Sequence, residues 1–212
     1  MLTAIIDYGS GNLHSAEKAF QRMAGEVNAG QVVVTSDPDV ISGADRIVLP
    51  GDGAFPACRT ELFDHKGIFQ AMEDAVVHRA RPFLGICVGM QLMASWGREY
   101  VDTPGLGWIK GEVVEITPND PGLKVPHMGW NNLVFDGDHP VLSGLTEGCH
   151  AYFVHSYHFR VEDPADLLAH VDYGGKLTAI VARKNVIGMQ FHPEKSQMTG
   201  LRMIANFLSW TP

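Results

Sequence analysis

Apolar and polar positions along this chain fall into two regimes. In the first half, short apolar runs alternate with stretches of helical spacing. Residues 2–7 form an apolar run closed by Tyr8-Gly9-Ser10-Gly11, the pattern of a buried strand entering a tight turn. Leu13, Ala16, Phe20 and Met23 recur on one helical face, which predicts an amphipathic helix over about 12–23. Residues 32–34 and 46–49 predict strands, the second closed by Pro50-Gly51-Asp52-Gly53. A helix over about 67–79 follows, with Ile68, Met72, Ala75 and Val76 on one face, then a strand over 82–86 and a helix over 88–96. Strand and helix in alternation indicate a parallel sheet with helices on both faces.

The second half changes character. Strand-like runs at 108–109, 112–116, 133–135, 152–154, 167–171, 178–182 and 186–191 follow one another with little helix between them. They predict antiparallel hairpins added to one sheet edge, with Lys184-Asn185 as the turn between the last two. Leu201, Ile204, Ala205 and Leu208 predict a closing amphipathic helix. The fold class expected is therefore α/β: a flavodoxin-like, mostly parallel sheet with helices on both faces and an antiparallel extension in the second half. No linker, repeat or low-complexity segment divides the 212 residues, so one domain over 1–212 is expected.

Composition narrows the function. The formal net charge is -8 and no Lys/Arg cluster stands out, which argues against a nucleic-acid partner. No apolar run reaches membrane-spanning length, and the first residues lack a basic stretch ahead of a hydrophobic one, so a cytoplasmic protein without a membrane partner is expected. Three cysteines, Cys58, Cys87 and Cys149, are too few and too scattered for a disulfide framework, and no CxxC pair anchors zinc. His150, His155 and His158 lack the spacing of a metal site; neither metal nor cofactor is expected.

Cys87 stands apart because of its neighbours. In Gly85-Ile86-Cys87-Val88-Gly89 a thiol sits between glycines where a strand gives way to a helix, the cysteine counterpart of a nucleophile elbow. Unpaired N–H groups at the start of that helix favour the thiolate. His192-Pro193-Glu194 supplies a base and its orienting carboxylate. The residue before a proline is extended, and side chains two apart in an extended segment share a face. Both segments end strands, where sites form in parallel α/β sheets. Leu49-Pro50-Gly51-Asp52-Gly53 also follows a strand, and its backbone N–H groups, with that of Val88, could stabilise an oxyanion. No Walker or GxGxxG pattern is present.

These residues resemble the class I glutamine amidotransferases, which pair a G-x-C-x-G elbow with a late H-P-E and a P-G-x-G loop. The resemblance spans nearly the whole chain. Ile6-Asp7-Tyr8-Gly9-Ser10-Gly11-Asn12-Leu13, Lys124-Val125-Pro126-His127-Met128-Gly129-Trp130-Asn131 and Tyr152-Phe153-Val154-His155-Ser156-Tyr157 are similar to the glutaminase subunits of imidazole glycerol phosphate synthase. The segment 124–131 is the specific signal, because elbow and H-P-E occur across the class. The resemblance implies that Cys87 attacks the glutamine amide, with His192 as acid and base and Glu194 orienting it. It implies oxyanion donors at the backbone of Asp52, Gly53 and Val88, and substrate contacts at Gly51, Gln91, His155, Ser156 and Tyr157. It further implies a heterodimer with a (β/α)8 cyclase subunit that receives the ammonia, contacted through Asn12 and Lys195. Asp52 departs from the small apolar residue usual at its position. A cysteine peptidase, another class I glutaminase and a flavodoxin-like redox or regulatory module are the alternatives. The first lacks secretion signals here, the second would lack segment 124–131, and the third has no need of His192-Pro193-Glu194.

Overall fold

The computed structural model describes residues 1–212. Its main sheet has the order β2 (Gln31–Thr35), β1 (Leu2–Ile6), β3 (Arg46–Gly51), β4 (Phe83–Cys87), β14 (Val186–Met189), β13 (Lys176–Arg183), β12 (Leu167–Asp172) and β9 (Val134–Phe135). Pairings from β2 to β14 are parallel, and those from β14 to β9 antiparallel. The central strands β3 and β4 are buried along their whole length, as strands covered on both faces must be. A ribbon of β8 (His127–Asn132) with β10 (His150–His155) and a small sheet of β11 (Tyr157–Val161), β7 (Gly111–Glu115), β5 (Trp96–Gly97) and β6 (Thr103–Pro104) complete the strands.

Strand order dictates where the helices go. The chain steps outward from β1 through α1 (Leu13–Val27) to β2, then back past β1 through α2 (Pro38–Gly43) to β3. Right-handed crossovers in opposite directions put α1 and α2 on opposite faces. α3 (Phe55–Asp64) and α4 (Ile68–Glu73), which runs on as a π-turn over Asp74–His78, follow α2, while the closing helix α6 (Gln197–Ser209) packs against α1. No helix is long and apolar enough to cross a membrane.

Several elements differ from the sequence pattern, each for a traceable reason. The first helix outlasts the expected end near Met23, because Ala24 continues the buried stripe and Asn28, in the left-handed region at φ 53°, closes the last turn with its N–H on the Ala24 carbonyl. The helix expected over 88–96 is only α5 (Val88–Gln91). The carbonyls of Leu92, Met93, Ala94 and Ser95 are instead taken by the N–H groups of Leu106, Ile109, Gly107 and Gly105, so tertiary pairing overrides local propensity. Residues 108–109 join no strand: Trp108 meets the Phe83 ring edge-on at 4.9 Å. α2, α3, β8 and β11 lay outside the expected elements, although Asp37 capping a helix with Pro38 at its start is a readable signal for α2.

At the β4–α5 corner the backbones meet so closely that side chains cannot fit. A Cβ on Gly89 would lie 1.8 Å from the Leu49 carbonyl oxygen of β3, and one on Gly85 would lie 2.6 Å from the Gly89 carbonyl oxygen. Gly89→Ala should therefore lower stability by roughly 1–3 kcal/mol or more through overpacking. Gly25, inside α1 with nothing near its would-be Cβ, should gain about 1 kcal/mol on substitution by alanine. Urea denaturation of the two variants tests both signs; equal midpoints would contradict the packing argument.

Candidate active site

Cys87 closes β4 at φ 54° and ψ -113°, a conformation that a side-chain-bearing residue adopts only where surrounding structure enforces it. The enforcing contacts are the crowded glycine backbones of the same corner, and the turn leaves the thiol at the mouth of α5. Across β14, which pairs directly with β4, the chain continues through Gln190 and Phe191 to His192. There it enters a short 3-10 turn, Pro193–Lys195.

That turn brings the carboxylate to the ring. His192 is extended at φ -92° and ψ 100°, but Glu194 lies inside the 3-10 turn and not on the shared face of a strand. Glu194 Oε1 nonetheless sits 2.9 Å from His192 Nδ1, with both side chains more than nine-tenths buried. Burial disfavours the charged ring, yet hydrogen bonding and charge attraction from the Cys87 sulfur as thiolate and from the Glu194 carboxylate outweigh it and lift His192 to about 10. That direction favours the doubly protonated ring at neutral pH. The backbone braces the turn further: Ser196 Oγ donates to the His192 carbonyl at 2.7 Å and accepts the Tyr152 N–H at 3.0 Å.

Cys87 opens into a cleft of about 260 Å³ whose wall includes Gly53, Val88, Gln91, Glu99, Ser156 and Tyr157. Asp52 and His155 line it as well. Gly51 does not; its Cβ position would fall 2.7 Å from the Gly89 nitrogen and 2.9 Å from Val88, so it serves the close approach of β3 to the elbow. Of the three oxyanion donors expected, Val88 N–H opens α5, where it has no partner within the helix. Gly53, at φ 114°, makes no backbone hydrogen bond. Asp52 N–H is turned to Ser10 Oγ at 3.2 Å, while that hydroxyl donates to the Asp52 carbonyl at 2.6 Å. Ser10 thus holds the Asp52 peptide away from the cleft. The Asp52 residue itself is exposed.

Gln91 Nε2 donates to the Tyr157 carbonyl at 3.1 Å and to Gln190 Oε1 at 3.0 Å. Gln190, fully buried, points its Nε2 toward Cys87 Sγ at 3.8 Å. Glu99, also buried, takes the Phe55 N–H on Oε2 at 2.7 Å. Glu99 and Gln190 were missed in the sequence: Glu99 follows the two-residue strand β5 with no motif around it, and Gln190 reads as one more inward residue of a buried strand. Asn12 and Lys195 lie outside the cleft on exposed surface; Asn12 Oδ1 caps α1 on the Ser15 N–H at 3.5 Å. A larger groove, about 550 Å³ beside Trp96 and Lys110, contains no cysteine or histidine, and its Glu112 is paired with Arg98 and Arg160. No group of three or more His, Cys, Asp and Glu side chains is arranged to hold a metal ion.

A parallel sheet carrying a cysteine elbow beside a His-Glu pair defines the class-I glutamine amidotransferases, and the model of that family, glutamine amidotransferase class-I, matches residues 4–210. The chain belongs to that family. Within it, the chain belongs with the HisH subunits of imidazole glycerol phosphate synthase. It is 68% identical over 212 residues to that of Ruegeria pomeroyi, 66% over 212 to that of Cereibacter sphaeroides and 58% over 214 to that of Rhodospirillum rubrum, covering 100% of both chains each time. Among solved structures, a glutamine amidotransferase superposes with TM-score 0.72 at 19% identity over 97% of both chains. The glutaminase domain of Trypanosoma brucei CTPS, solved with bound acivicin, gives 0.66 at 15% identity over 99% of this chain and 91% of that one. At such identities these two likenesses speak for the fold alone.

The proton balance at His192 is testable by NMR. In the intact protein the ring should titrate near 10. In Cys87→Ala, and separately in Glu194→Gln, the midpoint should fall toward 6.5, so that at pH 8 the ring goes from mostly charged to mostly neutral. A midpoint unmoved by both substitutions would contradict the pairing.

Proposed function

We propose that this chain is the glutaminase subunit of imidazole glycerol phosphate synthase, hydrolysing glutamine to glutamate and ammonia and passing the ammonia to a (β/α)8 cyclase subunit in histidine biosynthesis. The observation that carries the chemistry is Cys87 at an enforced corner, backed by His192 with Glu194 Oε1 2.9 Å from its Nδ1. The assignment to this synthase rests on the 68% identity along the full length of the R. pomeroyi subunit.

The cleft supports an acyl-transfer sequence. Cys87 Sγ attacks the side-chain amide carbon of glutamine, and the charge gathering on the amide oxygen meets the N–H groups of Val88 and Gly53. Asp52 N–H joins them only on leaving Ser10. His192 gives its proton to the departing nitrogen, ammonia leaves and a thioester remains. His192, now neutral, takes a proton from water as it attacks the thioester carbonyl, and glutamate departs. Glu194 keeps Nδ1 occupied, so the other ring nitrogen faces the sulfur. Glu99 and Asp52 are the carboxylates of the cleft wall, and the buried Glu99 is suited to the α-ammonium group of glutamine. Gln91 and the backbone of His155, Ser156 and Tyr157 form the opposite wall. No step calls for a cofactor.

An exposed apolar strip supports docking of the cyclase. Met128 and Trp130 project outward from β8 with 61% and 46% of their surface exposed. They stand opposite Val154 and Tyr152 of β10, and such patches mark interaction sites. The same ribbon is tied to the triad turn, because the His192 N–H donates to the Tyr152 carbonyl at 3.2 Å. That turn carries Lys195 and packs against α1, whose cap is Asn12. Three free cysteines suit a reducing cytoplasm. The continuous main sheet, closed by α6 packed on α1, suits a single domain over 1–212.

Cys87→Ala should abolish glutamine-dependent synthesis by the reconstituted pair and leave ammonia-dependent synthesis intact; surviving glutaminase activity would sink the nucleophile assignment. Trp130→Glu should weaken co-elution with the cyclase by roughly tenfold or more, the scale of an interface aromatic, while the thermal midpoint of the isolated chain stays within about 2 °C, as surface substitutions do. Undiminished co-elution would remove the strip from the interface.

A further inference from the structure

Behind the Ser156–Tyr157 wall of the cleft runs a chain of hydrogen bonds, buried at its His127–His155 link, in which every donor is fixed by chemistry. Asn131 Oδ1 accepts the Asn132 N–H at 2.8 Å, which settles the orientation of its amide. Asn131 Nδ2 then donates to the Asp172 carbonyl at 3.0 Å and faces His127 Nε2 at 3.3 Å. An amide nitrogen only donates, so His127 Nε2 is bare and accepts. At the other end His155 Nδ1 lies 2.8 Å from the Tyr157 carbonyl. A carbonyl only accepts, so that nitrogen carries the hydrogen. Between them His127 Nδ1 and His155 Nε2 are 2.9 Å apart. Two charged rings would set N–H against N–H here. The arrangement that makes every link a hydrogen bond has both rings neutral, both protonated on Nδ1 and both donating toward the cleft. Burial favours the same state, pushing His127 down to about 4 and His155 to about 3.

The chain ends on substrate-facing groups. The second lone pair of the Tyr157 carbonyl accepts from Gln91, whose other hydrogen goes to Gln190, the amide that faces Cys87. We infer that His127 and His155 are positioning residues: a tautomer-locked pair that holds the Tyr157 carbonyl, and Gln91 with it, in the geometry that receives the glutamine side chain. The role deepens the proposed glutaminase function and rests on it for the identity of the substrate. It also gives segment 124–131 two faces. Met128 and Trp130 point outward, while His127 and Asn131 point into the relay, since strand side chains alternate.

The competing role for His127 is packing alone, since its ring stacks on Phe153 at 4.8 Å and lies 4.1 Å from the Tyr173 ring. His127→Phe separates the two, because it keeps the stacking and leaves His155 Nε2 without a donor. With the assembled two-subunit enzyme, His127→Phe should raise the KM for glutamine about tenfold, the scale of one unpaired buried acceptor. The kcat should change by less than about twofold, as expected for lost ground-state and transition-state binding alike. Ammonia-dependent synthesis should be unchanged, and His127→Asn, which puts an amide donor near the Nδ1 position, should recover most of the KM. Nitrogen NMR of the unmodified protein at pH 7 should find both rings neutral with hydrogen on Nδ1. An unmoved KM in His127→Phe, or an imidazolium or Nε2–H ring at either position, overturns the inference. If His127→Phe does not fold, the NMR result decides alone. That readout does not depend on turnover, so it separates failure of the relay from failure of the glutaminase reading, which Cys87→Ala reports.

Discussion

The closeness of two backbones, Leu49 of β3 against Gly89 of α5, is the constraint on which the site depends. A carbonyl oxygen standing where a Cβ would be leaves room for hydrogen and nothing else. Because α5 is pressed onto the sheet at that point, the chain must turn within one residue at the end of β4. Cys87 takes a backbone conformation that costs on the order of 1–3 kcal/mol, and the tight packing of β3, β4 and α5 offsets it. The same approach sets Val88 N–H beside the loop that carries Gly53. Cys87 and the Val88 N–H are therefore placed by one packing contact, and neither could be moved without the other.

From this corner the site is assembled sideways across the sheet. β14 lies next to β4 in parallel register, so Met189 stands beside Ile86 and the chain beyond them delivers Gln190 and His192 toward the sulfur. The antiparallel strands beyond β14 carry the sheet away from the site, and the β8–β10 ribbon returns over it to supply Tyr152, His155 and the backbone near Tyr157. The first half of the chain thus contributes Cys87 and the loop over 51–53, and the second half His192, Glu194 and the far wall.

The grouping of Cys87, His192 and Glu194 was legible in the sequence because each part is local: a glycine-bounded cysteine between strand and helix, and a histidine two residues from a carboxylate. Even so, the physical reason differed for Glu194, which a 3-10 turn and not an extended face brings to His192. What could not be read depends on pairing between distant segments. Nothing near Asp52 in the chain says that Ser10 engages its N–H, since those residues are 42 apart. The end of α5 is set by residues 105–109 drawing off its next carbonyls. His127 and His155 looked like a motif residue and a backbone contact, and only the β8–β10 register, which sets them opposite each other, makes them partners.

That register carries a consequence for how the chain can change over time. β8 presents its outward-facing and its cleft-facing residues in strict alternation, so one inserted or deleted residue would bury Trp130 and turn His127 to solvent together. The strand can tolerate length changes only in pairs, and the connection to β10, which runs through β9, must absorb an equal step. Segment 124–131 is thus held twice, by its side chains and by the parity of its length, and drift at one face is coupled to drift at the other.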